Sequence, residues 1–258
     1  MPIQQQCTIL ETEALGGDTY WMQLECGDMV KKTFLAPGQF IHIACPPNFL
    51  RRPISVATCQ SDTPEDGVSI VFQVRGQGTR WLAERKAGEP LDVLGLLGNG
   101  FSITSGGRYL LAGGGIGVPP LYGCAQYAAG RAAAVLGFRS QKQVIMADLF
   151  REVCEEVFIC TDDGSLGRAG FVHEQVKDLL EKDKSFTGVL ACGPKPMLKA
   201  VARTAAEYGV PCQVSLEERM ACGVGACLGC AVRMRSGDMK HVCKDGPVFS
   251  AEEVDWDE

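Results

Sequence analysis

No stretch of this 258-residue chain is long and apolar enough to cross a membrane as a helix, which would take about 20 apolar residues in a row. Met1–Leu10 has neither a charged start nor an apolar block, so no secretory leader is expected there. Basic residues are in deficit, 25 Lys and Arg against 31 Asp and Glu, and the resulting charge of −6 argues against nucleic acid as a partner. Histidine is scarce: His42, His173 and His241 are scattered, and each reads more simply as a packed or surface side chain than as a catalytic one. Repeats and low-complexity tracts are also missing. The expectation is a cytoplasmic globular protein of about two domains, with no membrane and no nucleic acid to bind.

Cysteine, by contrast, is abundant, with thirteen residues. A secreted disulfide scaffold would normally be shorter, and an odd count leaves one thiol over. Many of the nine outside the C-terminal group lie in apolar segments such as Ile43–Cys45 and Val157–Cys160, as small buried hydrophobes do. No disulfide is read. The other four, Cys222, Cys227, Cys230 and Cys243, form C-x4-C-x2-C-x12-C. Their first three match the plant-type spacing for a [2Fe–2S] cluster held on four thiolates. Gly223, Gly225 and Gly229 between them let the backbone wrap and bring N–H groups to the sulfurs. Structural zinc is the other reading, but it favours two C-x2-C pairs, and this chain has one. His241, close to Cys243, could stand behind the sulfurs but is not needed as a ligand.

Three segments follow from the patterning: residues 1–103, 104–216 and 217–258. In the first, Val68–Arg75 alternates Val68, Ile70, Phe72 and Val74 against Ser69, Val71, Gln73 and Arg75. Further strands are predicted at Cys7–Glu13, Thr19–Glu25, Gln39–Cys45, Pro53–Ala57 and Leu91–Leu94. With one short helix near Arg80–Glu84, about six antiparallel strands make a small β-barrel. In the second, apolar strands (Tyr109–Ala112, Ala133–Phe138, Val157–Thr161, Val189–Cys192, Gln213–Leu216) alternate with helices (Pro119–Ala129, Phe171–Leu180, Met197–Tyr208), an α/β domain on a parallel sheet. The third is too short for a core of its own, and a cluster could stabilise it.

Loops at the strand ends carry the remaining chemistry. Gly113, Gly114, Gly115, Ile116 and Gly117 follow the first parallel strand and open a helix, where a dinucleotide pyrophosphate would sit. The spacing is not G-x-G-x-x-G, since Val118 holds the last glycine position. Asp162, and Cys192, Gly193 and Pro194, follow later strands and so share the same sheet edge; turns alone would also explain them. In the barrel, Arg52, Pro53, Ile54 and Ser55 offer a cation and a hydroxyl, and Gly78 and Thr79 offer N–H groups beside the short helix. Each of these taken singly also has a purely structural reading.

Arg-Pro-Ile-Ser, Gly-x-Gly-Thr, Gly-Gly-Gly-Ile-Gly-x-Pro-Pro and Cys-Gly-Pro come in the order seen in ferredoxin–NADP reductase-like flavoproteins, which the chain resembles to about residue 216. Leu216–Cys230 and His241–Phe249 extend the resemblance to the electron-transfer subunits of dihydroorotate dehydrogenase B. That resemblance implies FAD on Arg52–Ser55, Val71, Phe72, Gln73, Gly78 and Thr79. It implies NAD on Gly113–Gly117, Asp162 and Cys192–Pro194, and the cluster on the four cysteines. At position 73 many relatives would carry a basic residue; Gln73 keeps the hydrogen bonding without the charge. The implied partner is an FMN-containing catalytic subunit that oxidises dihydroorotate, in a heterotetramer of two of each, and no catalytic residue is expected in this chain. Related subunits of ferredoxin–NADP reductase or sulfide dehydrogenase complexes are the alternative. Arg139, after the second parallel strand, leaves NAD against NADP open.

Overall fold

The computed structural model describes residues 2–34, 36–60 and 67–257; Met1 and Glu258, the outer limits of the first and third segments, lie outside the described residues. Six strands close into an antiparallel barrel: β1 (Ile3–Gly16), β2 (Thr19–Glu25), β3 (Phe40–Ile43), β4 (Arg52–Gln60), β5 (Gly67–Gln73) and β6 (Pro90–Leu97). Their spatial order is β1-β2-β5-β4-β3-β6. Val68, Ile70 and Phe72 point into the barrel core, as the alternation predicts. Val71, on the other face, is buried too, in a second core with Ala57, Phe101, Leu111, Val118 and Leu121. The neighbouring domain covers that side of the barrel, so period two does not separate wet from dry there.

Two short helices flank the barrel strands. α1 (Asp28–Thr33) was not predicted, and no side chain caps its start. α2 (Gln77–Ala83) begins at Gln77 rather than near Arg80. The Thr79 hydroxyl accepts the N–H groups of Arg75 at 2.9 Å and Gly76 at 3.2 Å, and this cap sets the earlier start.

The second segment contains β7 (Tyr109–Gly114), α3 (Pro119–Tyr127), β8 (Ala132–Phe138), α4 (Ala147–Val153), β9 (Glu156–Thr161), β10 (Arg168–Ala169), α5 (Val172–Lys182), β11 (Gly188–Cys192), α6 (Lys195–Glu207) and β12 (Cys212–Ser215). β13 (Ala231–Arg233) and β14 (Met239–His241) form a small hairpin, and β15 (Val248–Ser250) follows. The large sheet runs β10-β9-β8-β7-β11-β12-β15. Every pairing in it is parallel except β12 with β15. β7, β8 and β11 are buried at every position, because helices cover both faces: Val176 and Leu180 of α5 and Leu198 and Val201 of α6 pack on one, Leu121 of α3 and Phe150 of α4 on the other.

The C-terminal segment borrows its core rather than building one. Phe249 of β15 pairs with Val214, and Cys230, Met234, Val242, Cys243 and Val254 share a core with Leu110, Val135 and Leu198. Asn99, just past the barrel, pins the turn before β15: its N–H reaches Gly246 O at 2.7 Å, and its side-chain amide reaches Lys244 O at 3.2 Å and Asp245 O at 3.1 Å. Among the described residues no helix is long and apolar enough to cross a membrane.

Candidate functional site

The four thiols come together at the C-terminal segment. Among the described residues no three Cys, His, Asp or Glu side chains converge on one point as ligands of a single ion would. They stand instead as two pairs: the Cys227 thiol adjoins Cys222, and the Cys243 thiol adjoins Cys230. Backbone N–H groups point at the sulfurs: Val224 and Cys227 to Cys222 Sγ at 3.4 Å each, Gly225 to Cys243 Sγ at 3.1 Å and Cys243 to Cys230 Sγ at 3.4 Å. Gly223, Gly225 and Leu228 adopt φ of 73°, 78° and 61°, turning the chain so that these donors face inward.

Two of these thiols have shifted acidities. Burial opposes ionisation of Cys222, but the N–H groups of Val224 and Cys227, the Cys227 thiol and the Ala226 N–H together bring its pKa down to about 6. Burial, with the adjoining Cys230 thiol, pushes Cys243 up to about 12 against the Gly225 N–H. Iron would displace that proton on binding. Two thiol pairs with amide donors on their sulfurs fit a two-iron cluster.

The barrel motif lies on β4 and faces an opening in the wall. The β4–β5 ladder ends at Val56 opposite Ile70. Beyond it, Arg52–Ser55 pair only with β3, and Val71–Gln73 only with β2. The two facing strand edges therefore diverge where the flavin residues were expected. Arg52 reaches the start of α2: a Cβ on Gly78 would lie 2.9 Å from its Cζ. Other expected residues have structural duties. Phe72 stacks on Tyr20 inside the barrel at 5.8 Å between centroids, Val71 is core, and the Thr79 hydroxyl caps its helix. Gln73 Oε1 accepts from Arg75 Nε at 3.2 Å.

At the carboxyl edge of the sheet, β7 and β11 pair with Cys192 opposite Gly113. The glycine turn therefore abuts Cys192–Pro194. A Cβ on Gly117 would stand 2.5 Å from the Cys192 carbonyl carbon and 2.6 Å from Gly193 N, and one on Gly114 would stand 3.0 Å from Pro194 Cδ. The Gly115–Gly117 turn is a single 3-10 turn, and β5 lies against it, so the barrel opening and the glycine turn adjoin. Ile116 packs at the edge of the second core. Cys192 is buried beside Ser215 of β12, and burial raises its thiol to about 12. Asp162 sits farther along the same edge, exposed, its N–H on Phe138 O at 3.0 Å.

His42 was read as a packed or surface residue, and it is packed in a telling place. It pairs with Pro53 on β4, is fully buried, and has Gly223 against its ring. Burial lowers its pKa to about 4, helped by the nearby Arg51 guanidinium and opposed by the Arg51 and Cys222 backbones. The only sequence signal was a polar residue between the core positions Ile41 and Ile43. Asn99 and Ser215 were likewise not singled out, because their partners lie far off in sequence.

A closed barrel joined to a nucleotide-type parallel sheet defines the ferredoxin-reductase class of fold, here with a four-thiol segment appended. A ferredoxin reductase of carbazole 1,9a-dioxygenase shares this fold at TM-score 0.68 and 24% identity, over 81% of this chain and 67% of that one. A chain of an NADH-dependent reduced ferredoxin–NADP oxidoreductase superposes with TM-score 0.86 at 34% identity, over 97% of this chain and 90% of that one. Residues 217–255 match the iron-sulfur cluster binding domain of dihydroorotate dehydrogenase B. The electron transfer subunit of dihydroorotate dehydrogenase B (NAD(+)) from Caldanaerobacter subterraneus subsp. tengcongensis is 41% identical over 97% of this chain and 98% of its own. That of Geobacillus thermodenitrificans is 42% identical over the same shares. The chain belongs to the family of dihydroorotate dehydrogenase B (NAD⁺) electron-transfer subunits.

Proposed function

We propose that this chain carries electrons from the FMN of a dihydroorotate-oxidising catalytic subunit, through a [2Fe–2S] cluster and FAD, to NAD⁺, in pyrimidine biosynthesis. Family membership supports the activity, and one observation supports the route: the thiol segment, the barrel opening and the glycine turn lie on contiguous elements, in that order. Flavin can take electrons singly and release a pair, which links a one-electron cluster to a two-electron nicotinamide carrier.

The chain's own residues bind and orient. Cys222 and Cys227 would hold one iron and Cys230 and Cys243 the other. Arg52 would neutralise the flavin pyrophosphate beside Gly78 and Thr79, while the backbone of Pro53–Ser55 and Val71–Gln73 lines the gap between β4 and β5. Gly113–Gly117 and Cys192–Pro194 would cradle NAD, with Asp162 farther out along the edge. Cys192, un-ionised, serves as packing and not as a base. We divide the chain accordingly into 1–103, 104–216 and 217–258, the last sharing the second segment's core. The catalytic subunit is the expected partner, in a heterotetramer of two of each, and the cytoplasm is the expected compartment.

The test is Cys227→Ser. Cys227 is an exposed thiol of the set, so its loss spares the core. NADH oxidation by a two-electron dye should survive with FAD bound, while dihydroorotate-linked NAD⁺ reduction by the assembled complex should vanish. Retained NAD⁺ reduction would sink the route. The likeness to the ferredoxin–NADP oxidoreductase chain keeps one rival, the same conduit serving another partner. Co-purification with an FMN subunit that oxidises dihydroorotate decides between them.

A further inference from the structure

The ring of His42, from the barrel, abuts Gly223, the glycine next to Cys222. It belongs to β3, where Ile41 and Ile43 fill the barrel core. Its own ring faces the other way, beneath the Cys222–Gly223 turn. A Cβ on Gly223 would lie 2.5 Å from its Nδ1, 3.2 Å from Cε1 and 3.3 Å from Cγ, so the turn rests directly on the imidazole. The residue is fully buried, and although the Arg51 and Cys222 backbones lie near the ring, neither Nδ1 nor Nε2 makes a hydrogen bond of normal geometry among the described residues. A buried N–H left unpaired is destabilising. Apolar residues of similar size would avoid that cost, so an unpaired imidazole points to an acceptor that arrives with the cluster.

We propose that His42 is a positioning residue of the electron path, its ring N–H donating to the sulfur shell on the Cys222 side of the cluster and locking that half of the cluster to the flavin strand β4. The inference rests on the cluster assignment above. Hydrogen bonds to cluster sulfurs stabilise the reduced, more negative state and raise its potential. The imidazole keeps its proton throughout, and only an electron enters or leaves the neighbouring group. His42 also pairs with Pro53, so one short strand fixes both the flavin-side backbone and the thiol turn.

The experiment compares His42→Leu and His42→Asn in the purified holoprotein. Asn places an amide N–H near the Nδ1 position, and Leu keeps apolar bulk without a donor. Iron and flavin content, the electron paramagnetic resonance spectrum of the reduced cluster and its midpoint potential are read for each. The Leu variant should keep its FAD but lose cluster occupancy or show a lowered potential, by about tenfold in the reduction equilibrium, 59 mV for one electron, with altered resonance. The Asn variant should restore the wild-type values. A Leu variant with wild-type spectrum and potential overturns the proposal. So does equal impairment of both variants, which would mean ring shape alone matters. A wild-type protein with no iron–sulfur spectrum would instead overturn the cluster assignment, a distinct failure.

Discussion

At the scale of single residues, the strictest demands fall on glycines that bring two backbones together. Gly117 is the sharpest case, because a Cβ there would strike the peptide between Cys192 and Gly193, which no side-chain rotation can relieve. Gly117→Ala should therefore prise apart the two loops assigned to NAD while leaving the barrel untouched. The expected outcome is full FAD absorbance with NADH-to-dye turnover down about a hundredfold, the size of loss that a displacement of about 1 Å can cause. Steady-state kinetics with a flavin spectrum check this, and undiminished turnover would remove the glycine turn from the nicotinamide site. Four cysteines, the glycine turn and Arg-Pro-Ile-Ser were legible because each is a local run whose spacing carries chemistry. His42 was not, since its meaning comes from Gly223, a residue that meets it only after the whole chain has folded.

At the scale of elements, the α/β domain is tied by one cation. Arg108, at the entry to β7, bonds Glu155 before β9 at 2.7 Å, Ser185 before β11 at 2.9 Å and Asp183 at the end of α5, and its guanidinium lies 4.3 Å from the Phe186 ring centroid. Arg108→Ala should lower stability by about 1–2 kcal/mol, discounted because both carboxylates are partly exposed; denaturant melts measure it. The Ser185 N–H and hydroxyl, with Arg108, hold the Asp183 carboxyl below its ordinary value. A depressed folded pKa means that its contribution is complete above the unfolded carboxylate value near 4 and fades as pH falls through the lower folded value. Asp183→Asn should flatten that part of the acid-stability profile and leave neutral-pH behaviour of the slope unchanged. An identical acid profile would show that the carboxylate carries no such linkage. The longer elements were legible for related reasons: barrel strands through their turns and alternation, sheet strands through unbroken apolar runs. α4 was missed because it begins from Met146 at φ 59° with no capping side chain, and β13–β15 because three residues each are too few to show a period.

At the scale of the whole molecule, the question is which surface meets the catalytic partner. Cys227 is exposed, so on the proposed route electrons would enter where its turn faces outward. That turn also displays Val224 and Leu228, the latter 59% exposed at φ 61°, a conformation unfavourable to a leucine. The β3–β4 connection presents Phe49, 99% exposed, and Leu50, and its Arg51 reaches the His42 carbonyl at 3.3 Å. Single exposed apolar residues are ordinary, but two groups of them, one on the thiol turn and one next to the arginine that holds the histidine strand, are what a partner would cover if they share one face. Leu228→Asp tests this without straining the loop, because aspartate accepts the left-handed conformation that leucine resists. Affinity for the catalytic subunit should fall by about tenfold or more, the size expected for an apolar anchor at an interface centre. Iron content, FAD and NADH-to-dye activity should stay at wild-type levels. Phe49→Asp should weaken assembly in the same way if the two groups share one interface. Titration by calorimetry or analytical ultracentrifugation reads both variants. If assembly is unchanged in both, the partner docks elsewhere, and electrons on the proposed route would have to reach the thiols from a side other than the one Cys227 opens onto.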